Sequence, residues 1–152
     1  MKDALKSGLK RLERLNEIRQ TYVSVAEAGV KTAEGEVRQL EAADNTVAGD
    51  IEHTRAEIAY CHTATGHDLQ SGEKYIAALN TQREVIQQSL EKANSNLEQR
   101  RHEWTEALRE QKVIEKMQER RFHEWEHEDS VDIQKQQDDA SIGRYVRAQQ
   151  KD

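Results

Sequence analysis

Two histidines one helical turn apart, with a glutamate beside the first, are the residues here most suggestive of chemistry: His123-Glu124-Trp125-Glu126-His127. On a helix, H-E-x-x-H is the pattern of zinc metalloproteases. Two imidazoles hold the metal, a third ligand completes the set, and the glutamate activates the bound water. Here the flanks, QERRF and EDSVD, are strongly polar. Nothing nearby supplies a third ligand or the walls of a cleft. A chain with 29 acidic residues and 6 histidines produces such strings by composition. His123, Glu124 and His127 are therefore set aside as metal ligands, and a zinc peptidase is kept only as a remote alternative. Cys61, His62 and His67 form a second metal-like group, but their spacing matches no closed site. There is no glycine-rich phosphate loop and no nucleophile elbow. The chain reads as a non-enzyme with no cofactor.

The elements that carry these residues are set by two heptad runs. From Leu5 to Cys61, in alternate steps of four and three, thirteen of seventeen positions are apolar, the exceptions being Asn16, Arg19, Asp44 and Thr54. From Ile76 to Ile114, nine of twelve are apolar, the exceptions being Arg83, Arg100 and Gln111. A 3.5-residue repeat held this long is a coiled-coil seam. The spacing predicts a first helix over about 3–65 and a second over about 73–148, about 95 and 115 Å long. The segment 66–72, Gly-His-Asp-Leu-Gln-Ser-Gly, is the one cluster that reads as a turn. Gly66 would end the first helix and Ser71 would cap the second.

A short turn between two seams implies antiparallel packing. The expected fold is therefore all-α: one coiled-coil hairpin of two long helices. Both seams face each other if paired residue numbers sum to 137, which sets Ile58 opposite Leu79, Ile51 opposite Ile86, Leu40 opposite Leu97 and Leu12 opposite Trp125. Asp44, Arg83 and Arg100 interrupt the seam singly. Cys61, on the seam, reads as a small buried hydrophobe.

Composition narrows the class. The chain has 152 residues, no proline, 34% charged and 35% hydrophobic residues. That is too little apolar surface for a globular core but enough for a narrow seam. Net charge is −6 with both signs interleaved, and no basic block exists to neutralise phosphates, which argues against nucleic acid. No apolar run approaches the roughly 20 residues of a membrane span. The start, MKDALKSGLKRLERL, is basic and amphipathic rather than a signal peptide, and a single cysteine fits a reducing cytoplasm.

Under this pairing the open end is mismatched: Leu9 faces Glu128 and Leu5 faces Asp132. The first helix is rich in leucine there, with Leu5, Leu9, Leu12, Leu15 and Ile18, and apolar surface left without an apolar partner inside the molecule makes this end a candidate docking base. Beyond about residue 134 the second helix has nothing opposite it, yet carries Ile142, Tyr145 and Val146. At the turn, Tyr60, Leu69 and Tyr75 cluster, either as packing or as a second patch. A weak homodimer through the base is a further expectation.

The segment Lys112 to Arg144 carries Glu115-Lys116, Glu119-Arg120-Arg121, Trp125, Gln134-Lys135, Asp138-Asp139, Ala140 and Arg144. These resemble the C-terminal motif of the type III secretion stalk proteins, the YscO family, and of their flagellar relative FliJ. Gln137 stands where an apolar residue is more usual. The resemblance implies a cytoplasmic stalk, peripheral at the inner-membrane secretion apparatus. Its base would insert into the hexameric export ATPase, link it to the cytoplasmic ring of the export gate and recruit chaperones of translocator proteins. It assigns Glu119, Arg120, Arg121, Trp125, Gln134, Lys135, Asp138, Asp139 and Arg144 to the ATPase-facing end, with Leu5, Leu9, Leu12 and Leu15 beside them. Tyr60, Leu69 and Tyr75 would meet the gate or a chaperone. The alternative is a generic coiled-coil scaffold or chaperone escort without ATPase contact.

Overall fold

Helix α1 spans Lys2–Tyr60 and α2 spans Gly66–Gln150 in the computed structural model, which describes residues 1–61, 63 and 65–151. The helices pack against each other as the expected antiparallel hairpin, with no strand among the described residues. The absence of proline leaves both backbone ladders unbroken. The heptad reading selects the packed face: sixteen of the seventeen first-seam positions are buried or half-buried, and eleven of the twelve second-seam positions. The exceptions are Cys61 and Arg100. Cys61 is exposed rather than buried, because α1 ends one residue before it.

The turn is not at 66–72. Those residues form the first turns of α2, and the connection is 61–65, of which 62 and 64 (and so His62) lie outside the described residues. The reason is a cap that outcompetes Ser71. Asp68 N donates to Thr65 Oγ1 at 3.3 Å, while Thr65 N donates to Asp68 Oδ2 at 3.0 Å. The Thr65 hydroxyl also donates to Asp68 Oδ2 at 3.0 Å. Leu69 N then donates to Thr65 O at 3.1 Å, closing the first helical turn. This is a capping box with aspartate in the glutamate position. Gly66 is the first residue of the helix, and no described glycine has a positive φ.

Moving the turn moves the pairing by one heptad. Paired residue numbers sum to about 130 rather than 137, so Ile58 meets Gly72, not Leu79, and Leu12 shares a groove with Met117 and Arg121, not Trp125. A seven-residue shift returns equivalent seam positions to the interface, which is why the buried face is unchanged.

Contacts divide the chain into two compact units, Val25–Thr105 and Met1–Ser24 with Glu106–Asp152. In the first, Val30, Ala33, Val37, Ala93 and Leu97 form a buried cluster with Leu40, Leu90 and Trp104 against it. Val47, Ile51 and Leu79 form another, with Ile76 and Ile86. Each fully buried aliphatic side chain contributes about 1.5–3 kcal/mol. Asp44 and Arg83 do not interrupt the seam singly; Arg83 Nε donates to Asp44 Oδ1 at 3.0 Å. In the second unit Leu12 is buried on the seam, and Arg19 pairs with Glu110 and Lys2 with Asp129 across the helices.

Candidate functional site

The open end of the hairpin, within the unit holding both helix termini, gathers the apolar residues singled out from sequence. Leu12 is buried, Leu5 and Leu9 are half-buried, and Leu15 is exposed. The corrected pairing therefore covers more of this leucine surface than the mismatched layers implied. What remains open is a groove of about 410 Å³, lined by Met1, Ala4, Leu5, Gly8, Arg11 and Leu12 of α1 and Met117 and Arg121 of α2. Its depth comes from Ala4 and Gly8: a Cβ built on Gly8 meets nothing within 4 Å.

Around Trp125 the surface is aromatic and charged. Phe122 stacks on it with centroids 6.0 Å apart and planes 27° apart. Lys2 Nζ lies 6.0 Å from the Trp125 ring centroid and is ion-paired with Asp129. The hydrogen bond to Asp129 holds the Lys2 ammonium pKa above its ordinary value of 10.5, desolvation opposing. This attraction persists below that value and fades as pH rises through the higher folded one. Trp125 Nε1 and Asn16 Oδ1 are shielded from solvent with no hydrogen-bond partner among the described residues. Arg121 Nη1 donates to Glu124 Oε2 at 3.2 Å, and Glu119 and Arg120 are exposed.

Past Asp132, the last half-buried position of the seam, α2 runs on without opposite residues from α1. Gln134, Lys135, Asp138, Asp139 and Arg144 are all exposed there. So are Ile133, Ile142, Tyr145 and Val146, with Tyr145 64% exposed. A solvated helix needs no such residues.

In the other unit, Tyr60, Leu69 and Tyr75 are exposed, Tyr60 at 80% and Tyr75 at 53%, so the tyrosines do not close the layer beside the turn. Ile58 against Gly72 does that. His123 and His127 are exposed, and His123 Nδ1 lies 3.5 Å from Glu126 Oε2. Among the described residues no group of three His, Cys, Asp or Glu could hold an ion.

Sequence reasoning missed Phe122, Met117 and Tyr22. A signal existed: Met1, Ala4, Gly8, Arg11, Leu15, Ile18 and Tyr22 repeat in steps of three and four, a second stripe beside the first seam. The hydrophobic count along one seam hid it.

The class these features define is a two-helix hairpin with exposed apolar residues at the open end and beside the turn. The chain belongs to the FliJ family: residues 7–150 match the family model described as Flagellar FliJ protein. The family supplies non-catalytic components of the export apparatus, and in flagellar systems its members associate with the export ATPase and export gate. No curated protein and no solved structure matches the chain. Among the described residues, no helix is long and apolar enough to cross a membrane.

Proposed function

We propose that this chain is a cytoplasmic, non-catalytic stalk that docks its open end into a hexameric export ATPase and links it to the export gate. The observation that carries the reading is the family match over nearly the whole chain, joined to an α2 extension whose Ile142, Tyr145 and Val146 are exposed. In this reading Gln134, Lys135, Asp138, Asp139 and Arg144 provide polar contacts, and Leu15, Arg120, Arg121 and Trp125 continue the surface onto the paired part of the hairpin. Tyr60, Leu69 and Tyr75 engage the gate or a translocator chaperone. In this reading the chain serves the YscO branch, the secretion rather than the flagellar apparatus.

Binding of the full chain to purified hexameric export ATPase tests the docking. Ile142→Glu and Tyr145→Glu weaken it at least tenfold, while Val85→Glu, at an exposed position in the other unit, does not. Equal binding by all three variants overturns the assignment of the open end. An adjacent gene for a secretion-type ATPase rather than a flagellar one supports the branch.

A further inference from the structure

The stripe beside the seam is the least explained feature of the open end. A helix with one heptad seam packs against one partner; a second seam on the same helix needs a second. The stripe runs Met1, Ala4, Gly8, Arg11, Leu15, Ile18, Tyr22. Its first half holds its two small residues: Ala4 and Gly8 sit in the groove of about 410 Å³, between Met1 and Arg11. Its second half is large and protruding: Leu15, Ile18 and Tyr22 are 42%, 51% and 58% exposed. A water occupies about 30 Å³, so the groove has room for side chains. The groove floor includes Leu5 and Leu12, which also line the α1–α2 seam, so an occupant would extend an interface already formed.

We infer that a second copy of this chain covers the stripe, its α1 running antiparallel to the first about a two-fold axis. The stripe is complementary to itself in that arrangement and in a definite register. Tyr22 of one copy then lies over Ala4 of the other, Ile18 over Gly8, and Leu15 against the aliphatic stem of Arg11, each pair occurring twice. Large meets small at Ala4 and Gly8, as close packing requires, and a two-fold contact must pair a surface with itself. Other occupants fit less well: a parallel copy sets Gly8 on Gly8 and Tyr22 on Tyr22, leaving the groove empty. The inference does not rest on docking to the ATPase. Since Leu15 belongs to both surfaces, it implies that the self-associated chain and the docked chain exclude each other.

Sedimentation equilibrium of the full chain alone, up to about 1 mM, tests it. A dimer is expected, and Ile18→Glu shifts it to monomer. Gly8→Leu does the same by filling the groove, while leucine's higher helix propensity favours α1 and a Cβ at this position meets nothing within 4 Å. Val85→Glu leaves the dimer intact. In a Cys61→Ser background, a Gly8→Cys chain mixed with an Ile18→Cys chain forms a mixed disulfide between copies. Those two positions lie about 15 Å apart along one helix and cannot bridge within a chain. A chain monomeric at every concentration, a dimer indifferent to Gly8→Leu, or oxidation only between identical Ile18→Cys chains overturns the inference.

Discussion

Ile58 lies against Gly72: a Cβ at Gly72 would stand 2.5 Å from Ile58 Cδ1 and 3.1 Å from its Cγ1. The layer beside the turn is therefore closed by a large residue against none, and Gly72 is needed for space, not for an unusual backbone conformation. Gly72→Leu forces Ile58 out of this layer and destabilises by about 1–3 kcal/mol. Gly35→Ala and Gly49→Ala, where nothing stands within 4 Å of the new methyl, each stabilise by about 0.5–1 kcal/mol. Urea denaturation of the three variants measures the contrast.

Asp44 and Arg83, both seam positions, pair with each other across the helices, with the Asp44 side chain only 17% exposed. Arg83→Ala leaves that carboxylate without its donor and costs about 1–3 kcal/mol. The double variant with Asp44→Ala loses less than the two single losses added together, which a double-mutant cycle reads directly. A hairpin paired one heptad away would separate the two residues, so the pair also favours the observed register.

Asn16 occupies a seam position with its Oδ1 shielded and unbonded among the described residues. Asn16→Leu removes that orphaned acceptor and adds apolar contact, raising stability by about 1–3 kcal/mol. Thermal melting follows this, and an unchanged midpoint would show that the amide is satisfied in solution.

Thr65 and Asp68 start α2. Thr65→Ala removes the cap hydroxyl and costs about 0.5–2 kcal/mol. The hydrogen bonds from the Thr65 backbone and then its hydroxyl lower the Asp68 pKa below its ordinary 3.8. A depressed carboxylate stabilises above the ordinary value and loses that contribution as pH falls through the lower folded one. Hydrogen exchange at the first turn of α2 therefore accelerates in strong acid. In Asp68→Asn it is already faster at neutral pH and has lost most of this acid dependence.

The sequence alone determined which faces are buried. A 3.5-residue repeat identifies the stripe of a helix that meets a partner, and Leu5 through Ile58 all lie on it. It also determined the antiparallel fold, because a short break between two seams allows no other pairing. Between Lys112 and Arg144 it also carried the stretch on which the resemblance to the secretion stalk proteins rests. Which heptad meets which was decided by the tertiary structure. Heptad periodicity is blind to shifts of seven residues, so pairings summing to 137 and to about 130 bury the same stripes. The choice falls to the turn, where the Thr65–Asp68 box starts α2 at Gly66, and to layers such as Ile58 with Gly72 and Asp44 with Arg83. The groove above Ala4 and Gly8 likewise depends on where Met117 and Arg121 of α2 fall along α1, a relation between distant segments that no local pattern encodes.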